Sequence, residues 1–248
     1  MHILGDIGNT DTKLCLVSTK HKIIKKITFP SKNLNQKKLT KYFSLLKPNY
    51  EKISKILFCS VVPKSFNLIK KFLSKKTKIN CYEVKNLNLK SLIKIKVNYK
   101  QVGSDRITNA ISLINNKNNF IILDFGTATT FDVLIKDTYS GGIIAPGIRL
   151  SLDTLSDKAS LIPKINLKMI NNVIGNDTVS AVRSGFFWGY AGLIDNIIKL
   201  IKKETGKSFI VIITGGFSNL FKKSINTKVY HNKDITINGL IKISNLIK

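Results

Sequence analysis

Two short acidic turns carry residue types that bind phosphate groups. The first reads DIGNT (6–10) and the second DFGT (124–127), and each follows an apolar run typical of a buried strand. Glycine lets the backbone turn tightly, so that its N–H groups and the neighbouring hydroxyl or amide side chains can donate to an oxyanion. The aspartate can hold a cation that offsets phosphate charge. One such turn is commonly only turn chemistry, but two at matching places predict a shared phosphate site.

The elements that must position these turns repeat along the chain. In the first part, strands are predicted at 2–7, 13–18, 22–28 and 55–62, and helices at 35–46, 65–74 and 104–115. In the second, strands are predicted at 120–125, 129–136, 141–145 and 209–214, and helices at 148–156, 177–203 and after 216. The loop NNKNN (115–119) predicts a boundary between halves of residues 1–117 and 118–248. The repeat predicts an α/β protein of two halves, each a mixed sheet flanked by helices, with a cleft between them.

The composition bears on the partners of the protein. The formal net charge is +27, yet only three of the 41 basic residues are arginine. Lysine, isoleucine and asparagine are all favoured by A/T-rich codons, so codon bias explains the charge without a polyanionic partner. No helix-turn-helix, zinc finger or RNA-binding aromatic pair accompanies the lysines. We therefore expect no specific nucleic-acid partner, although the charge allows weak non-specific binding.

Membrane and redox signals point to an ordinary intracellular protein. No apolar run reaches the roughly 18 residues that a membrane span needs, and the N-terminus lacks the basic start and apolar middle of a signal peptide. We expect a cytoplasmic location and no membrane partner. The three cysteines are widely spaced among apolar neighbours, which indicates buried free thiols.

Several other catalytic motifs are missing. GKS occurs at 206–208, but the phosphate-loop pattern requires a glycine where Ile201 stands. No Gly-x-Gly-x-x-Gly follows a strand, and neither Gly-x-Ser-x-Gly nor His-Glu-x-x-His occurs. These absences argue against a phosphate-loop enzyme, a dinucleotide fold, a serine hydrolase and a zinc protease.

Six segments in this order resemble the type III pantothenate kinases nearly end to end: DIGNTDTK (6–13), VGSDR (102–106), DFGTATT (124–130), GGIIAPG (141–147), GNDT (175–178) and TGG (214–216). That family lies in the acetate and sugar kinase, heat-shock protein 70 and actin superfamily. The resemblance implies duplicated ribonuclease H-like (actin-like ATPase) halves. It also implies phosphorylation of pantothenate to 4'-phosphopantothenate by ATP, the first step toward coenzyme A. Mg²⁺ or a similar divalent ion, a monovalent cation (K⁺ or NH4⁺) and a homodimer are implied with it.

The resemblance also implies the nucleotide site. The implied ATP-binding residues are Asp6, Ile7, Gly8, Asn9, Thr10, Asp11, Thr12, Lys13 and Thr127. Asp124 is implied as the ligand of the monovalent cation. Lys13 can add a point charge to the phosphates, but lysine is also the commonest residue of the chain, so both interpretations of Lys13 stay open.

On the substrate side, the resemblance implies that Asp105 is the base that takes the proton of the attacking hydroxyl. Arg106 offers the planar fork that suits the carboxylate of pantothenate. From the residues alone an alternative stays open, because Ser104 and Asp105 are good capping residues for the helix predicted there. The implied substrate-binding residues are Tyr99, Gly103, Ser104, Asp105, Arg106 and Thr178.

Two of these residues have their own alternatives. Tyr99 stands four residues before Gly103, whereas members of the family place a tyrosine about seven residues before this glycine. Thr178 is implied to reach pantothenate from a partner subunit, but it can also cap the helix that follows. That helix carries Gly185, Gly189 and Gly192, which give one smooth face for a second copy of the chain.

Two other functions stay open beside a pantothenate kinase. One is a non-catalytic, nucleotide-binding regulatory relative, and the other is a different small-molecule kinase of the superfamily. The presence of Asp6, Asp105 and Asp124 together favours an enzyme, because a protein that only binds nucleotide has no need of a base.

Overall fold

The computed structural model describes residues 1–247, which form two compact units. The first unit contains Met1–Ile114 and the described chain from Asp234 onward, and the second contains Asn115–Lys233. The division of the duplicated halves after residue 117 stays a prediction. As a compact body, however, the first unit also includes the helix near the end of the chain.

The first unit is built mainly from a sheet and three helices that precede residue 115. Its elements are β1 (His2–Ile7), β2 (Asp11–Val17), β3 (Ile23–Pro30), α1 (Gln36–Leu46), β4 (Lys55–Ser60), α2 (Pro63–Ser74), β5 (Cys81–Glu83), the two-residue β6 (Lys94–Ile95) and α3 (Ser104–Leu113). Short 3-10 helices lie at Tyr50–Lys52, Val84–Asn86 and Tyr99–Gln101.

The second unit repeats this plan and is followed by a helix that returns to the first. Its elements are β7 (Asn119–Phe125), β8 (Ala128–Ile135), β9 (Thr138–Pro146), α4 (Ile148–Lys158), α5 (Thr178–Thr205), β10 (Ile210–Gly215), α6 (Ser218–Phe221) and β11 (Val229–His231). The last helix, α7 (Ile235–Ser244), packs against α3 in the first unit.

The strand order and pairing are the same in the two units. The first sheet has the order β3-β2-β1-β4-β5, and the corresponding strands of the second follow β9-β8-β7-β10-β11. In each sheet the first three strands pair antiparallel and the other two pair parallel. This shared topology is what a duplication predicts.

Each sheet is covered by apolar packing. In the first unit Ile3, Ile7 and Leu14 are fully buried and join a core with Leu39 and Phe43 of α1. Successive side chains of a strand point to opposite faces, and α3 and α7 contact the same sheet through β4 and β1. In the second unit the long helix α5 buries Phe187 and its apolar neighbours against the sheet.

The mixed α/β architecture that the sequence predicts is thus present. No helix within residues 1–247 combines the length and the apolar character needed to cross a membrane.

Candidate active site

The first acidic turn joins β1 to β2 and is closed by the backbone. Asp6 is the penultimate residue of β1 and stands opposite Lys13 in the β1–β2 register. The Gly8 N–H donates to the carbonyl oxygen of Asp11 over 3.0 Å, which leaves Asn9 and Thr10 exposed at the tip. The tip thus presents an amide and a hydroxyl side chain to solvent.

Two other residues of this turn serve the fold directly. Ile7 is fully buried in the core, and Thr12 is fully buried with its hydroxyl 2.8 Å from that of Ser31. The Ser31 N–H in turn donates to the carbonyl of Thr10 over 2.8 Å. The side chains of Ile7 and Thr12 therefore hold the turn, and only their backbone can face a nucleotide.

The Asp6 carboxyl is surrounded by groups that change its pKa. Its Oδ2 is 3.8 Å from the Lys13 Nζ, and the Cys59 thiol donates to its Oδ1 over 3.5 Å. Burial, with a smaller contribution from the charge of Asp105, raises the pKa of Asp6 to about 6 against the opposing effect of the Lys13 ammonium. Two acids thus lie close enough to influence each other in one unit.

Asp105 lies in the first turn of α3, where the main-chain N–H groups favour a negative charge. The Arg106 N–H donates to Asp105 Oδ1 over 2.9 Å. Burial raises the pKa of the Asp105 carboxyl, and this hydrogen bond and the Arg106 charge oppose the increase. A buried carboxylate with a raised pKa is a better proton acceptor than an exposed one.

The structure leaves the capping alternative open for Asp105. Gly103 is the N-cap residue and makes no side-chain capping bond, but Asp105 Oδ1 accepts from the Arg106 N–H in the first turn of α3. A Cβ on Gly103 would stand 2.3 Å from Asp105 Oδ1, so a glycine is needed for the carboxylate to fold back over this turn. Ser104 is buried, and its hydroxyl accepts from the Ser60 N–H and donates to the Ser60 carbonyl, which fixes α3 to the end of β4.

The second acidic turn has the equivalent place in its own unit. Asp124 is the penultimate residue of β7, and Gly126 N–H closes the turn to β8 by donating to the Ala128 carbonyl over 3.1 Å. Gly215 at the end of β10 has φ of 87°, and a Cβ there would lie 2.6 Å from Asp124 Oδ1. Thr127 is exposed at the tip.

A pocket within the first unit adjoins the Gly103–Ser104 segment. Its volume is about 530 Å³. The pocket is lined by residues from the end of β4, the start of α2, the end of β5 and the segment before α3: Ser60, Val61, Pro63, Phe66, Asn67, Glu83, Lys85, Asn86, Gln101, Val102, Gly103 and Ser104.

Tyr99 borders this region without lining the pocket. It begins the 3-10 helix Tyr99–Gln101, and its hydroxyl is buried without a hydrogen-bond partner. Burial raises the pKa of the Tyr99 hydroxyl, and the nearby Glu83 charge adds to the increase. The predicted substrate contact of Tyr99 therefore stays a prediction.

The residue that caps α5 is Asp177, the neighbour of Thr178, and not Thr178 itself. Asp177 is the N-cap of α5 and forms a capping box with Ser180. Thr178 is exposed at the first position of the helix. The structure thus leaves the Thr178 side chain free of the capping role.

Sequence reasoning missed three side chains near Asp105. Glu83 and Lys85 line the pocket, and Cys59 donates to Asp6. Glu83 and Lys85 belong to no motif. Glu83 ends a strand of only three residues and Lys85 comes just after it, so no pattern in the sequence pointed to them. Cys59 was recognisable only as a buried thiol, which it is.

Comparison with solved structures defines the class of fold. A Sinorhizobium meliloti protein described as a 2-dehydro-3-deoxygalactonokinase matches with a TM-score of 0.62 at 9% identity, covering 100% of this chain and 99% of that one. A Campylobacter jejuni protein described as a Baf family transcriptional activator matches with a TM-score of 0.57 at 20% identity. The match covers 97% of this chain and 96% of that one. The chain therefore has the duplicated α/β fold of the actin-like ATPase and sugar kinase class, as the sequence predicts.

Sequence comparison narrows the class to a family. A model of the type III pantothenate kinase family matches residues 2–200. A type III pantothenate kinase of Pelagibacter ubique strain HTCC1062 is 67% identical over 248 residues, which is 100% of both chains. The chain belongs to the type III pantothenate kinase family. The predicted enzyme class, an ATP-using pantothenate kinase of coenzyme A biosynthesis, is confirmed at this level.

Proposed function

We propose that Asp105 is the general base in the transfer of the ATP γ-phosphoryl group to the primary hydroxyl of pantothenate. The Asp105 carboxylate accepts the hydroxyl proton as the new oxygen–phosphorus bond forms and the bond to ADP breaks. The observation that carries this proposal is the position of Asp105, a half-buried acid with a raised pKa beside Asp6 and next to the Gly103–Ser104 wall of a pocket.

The substrate is held, in this proposal, by the segment that precedes and begins α3. The Gly103 and Ser104 backbone borders the pocket, and Arg106 provides a guanidinium for the carboxylate of pantothenate. Tyr99 contacts the substrate from the same segment, and Thr178 contacts it from a second subunit. The exposed position of Thr178 supports a contact outside its own chain.

The residues from Asp6 to Lys13, with Thr127, bind the phosphates of ATP in this proposal. The chain offers the groups that a triphosphate requires: backbone N–H groups in two glycine turns, exposed side chains at Asn9, Thr10 and Thr127, and the Lys13 ammonium. We include a phosphate contact of Lys13 in the proposal, because its ammonium lies at the first acidic turn, 3.8 Å from Asp6 Oδ2.

Two cations complete the proposed site. Within residues 1–247, no group of three or more histidine, cysteine or acidic side chains is arranged to hold a metal. Mg²⁺ commonly binds through one or two carboxylates together with substrate phosphates, and Asp6 suits that limited role. Asp124 would hold a monovalent cation, K⁺ or NH4⁺, with the oxygen ligand that such ions prefer. When bound, these cations offset the negative charge of the phosphates.

We further propose a homodimer that uses α5 and the segment before it. Leu161 and Ile174 are 88% and 89% exposed. A Cβ on Gly185, Gly189 or Gly192 would meet nothing within 4 Å. Exposed large apolar side chains and a helix face open to close approach are both features of protein interfaces.

The dimer predicts a mass of twice 27.8 kDa in sedimentation equilibrium. We expect Gly189→Leu, which fills the open face of α5, to shift the protein toward the monomer. A wild-type protein that remains at 27.8 kDa across micromolar concentrations would contradict the dimer.

We place the protein in the cytoplasm, where its metabolic substrates are available, with no membrane partner and no specific nucleic-acid partner. The lysine excess, with only three arginines, is a poor match for specific nucleic-acid recognition, in which arginine dominates.

A coupled ADP-release assay tests the proposed function. Purified protein with Mg²⁺ and ATP should turn over pantothenate, and added K⁺ should increase the rate over a Na⁺ control of equal ionic strength. Nucleotide binding without turnover on any metabolite would favour a non-catalytic relative. Turnover of another metabolite, with no competition by pantothenate, would favour a different small-molecule kinase.

The proposal also predicts the direction of the pH dependence. Burial raises the pKa of Asp6 to about 6. We therefore expect kcat/KM to fall as the pH is lowered through about 6, because Asp6 then loses its charge. The raised pKa of Asp105 acts in the same direction. Initial rates between pH 5 and 8, with excess coupling enzymes at each pH, measure the effect. A profile that is flat down to pH 5 would contradict it.

A further inference from the structure

The pocket beside α3 has walls of two chemical kinds. Val61, Pro63 and Phe66 provide apolar surface, and Asn67 adds an amide. Glu83 and Lys85 contribute the charged groups. A pocket with apolar walls and a few polar groups is the usual form of a small-molecule site.

Pantothenate has the chemistry that this pocket would take. Its gem-dimethyl group suits the apolar wall, its amide suits an asparagine, and its terminal carboxylate requires a cation. Lys85 lines the pocket, and Arg106 comes two residues after the Gly103–Ser104 wall. The pocket therefore supplies a cation of its own.

Lys85 is held in place by contacts to the segment that leads into α3. Its Nζ donates to the Lys100 carbonyl over 3.0 Å and lies 5.6 Å from the centroid of the Tyr99 ring. An ammonium has three donors, so this hydrogen bond leaves capacity for a ligand. Lys85 is half-buried, while most lysines of the chain are exposed.

The charge of Lys85 also reaches the catalytic carboxylate. Its ammonium helps to lower the pKa of Asp105 against the effect of burial. Lys85 also lines the same pocket as Gly103 and Ser104, which directly precede Asp105, so a small molecule in this pocket lies beside both Lys85 and the start of α3.

The Glu83 carboxyl, which lines the same pocket, does not fully neutralise the charge of the Lys85 ammonium. Glu83 Oε2 accepts from the Lys85 backbone N–H over 2.8 Å, and its Oε1 is buried with no hydrogen-bond partner. Burial raises the pKa of the Glu83 carboxyl, which favours its neutral form relative to an exposed glutamate.

We propose that Lys85 is a further substrate-binding residue. Its ammonium pairs with the terminal carboxylate of pantothenate together with the Arg106 guanidinium, and it selects for an anionic substrate. This inference rests on the proposed function and adds a residue that no motif contains. The purely structural alternative is that Lys85 only fastens the 99–101 segment through the Lys100 carbonyl.

Two substrates separate these interpretations. Pantothenol has an alcohol in place of the carboxylate and keeps the primary hydroxyl that is phosphorylated. Kinetic constants for pantothenate and pantothenol would be measured for the wild type, Lys85→Met and Lys85→Arg. Lys90→Met is the matched control, because Lys90 is exposed and lies outside the pocket lining.

We expect Lys85→Met to raise the KM for pantothenate by about 10- to 100-fold, the value of one charge-assisted hydrogen bond. The KM for pantothenol should change little, since that substrate has no charge to pair. Lys85→Arg should restore most of the preference for pantothenate, and Lys90→Met should match the wild type.

Two results would overturn the inference while leaving the proposed function intact. One is an unchanged KM for pantothenate in Lys85→Met, and the other is an equal loss on both substrates, which indicates the structural role. A wild-type protein that phosphorylates neither compound would instead overturn the proposed function, and the inference with it.

Discussion

Replacement of Asp105 by asparagine is expected to lower kcat by about 10²- to 10⁴-fold, the usual contribution of a general base. Asparagine has nearly the same shape and can still accept the Arg106 N–H hydrogen bond, which is 2.9 Å long in the wild type. It cannot accept the proton of the hydroxyl. The loss should therefore fall on kcat, with a smaller change in the KM for either substrate. Steady-state kinetics with pantothenate and ATP varied in turn measures both constants.

Folding must be checked in the same experiment. Because ionised Asp105 is disfavoured by burial, we expect the melting temperature of Asp105→Asn to stay at or above that of the wild type at pH 7.5. Asp157→Asn, at an exposed position of α4, is the matched control and should keep wild-type kinetics. Activity of Asp105→Asn near the wild-type value would show that the base has been assigned wrongly.

Replacement of Asp6 by asparagine is expected to have opposite effects on activity and on stability. The change removes the negative charge beside Lys13 at the first phosphate turn. If that charge serves the cation that accompanies ATP, kcat/KM for ATP should fall by about 10²-fold or more, in line with the several kcal/mol that such a cation supplies.

Stability should rise because ionised Asp6 is unfavourable in the folded protein. Its folded pKa is about 6, raised from 3.8 by burial, so folding takes up a proton between these values and stability decreases as the pH rises through them. Above pH 6 the neutral asparagine avoids this cost, which is at most about 3 kcal/mol. Thermal unfolding at pH 5 and pH 8 should show a larger gain for Asp6→Asn at pH 8.

An Asp6→Asn variant with full activity would contradict the role of Asp6 in ATP binding. A variant that loses both stability and activity would assign Asp6 to the fold instead. Higher stability with lower activity in Asp6→Asn is the trade-off expected when a residue needed for activity destabilises the fold.

The sequence predicted the parts of the site that local chemistry determines. An apolar run that ends in aspartate and glycine, followed by a second apolar run, is sufficient to predict the β1–β2 and β7–β8 hairpins. The long helix was predicted at 177–203 and is observed at Thr178–Thr205, because Asp177 caps its start and Gly206 ends it in the left-handed conformation.

The sequence did not predict the parts that depend on distant contacts. The strand β5 has only three residues, which is too few for an alternation of apolar and polar residues to appear. The sequence therefore offered no means of locating Glu83 and Lys85 in the fold. The position of α7 depends on Gly239, where a Cβ would stand 2.0 Å from the Thr108 carbonyl oxygen. No local pattern could assign that helix to the first unit.

The most direct test of the central claim is to identify the product by phosphorus NMR. Wild-type protein, ATP, Mg²⁺, K⁺ and pantothenate should give one new phosphomonoester signal, whose phosphorus couples to the two protons of a CH₂ group, as phosphorylation of the primary hydroxyl requires. Asp105→Asn should give almost none of this signal in the same time. No new phosphomonoester, or one coupled to the single proton of the secondary alcohol, would contradict the account.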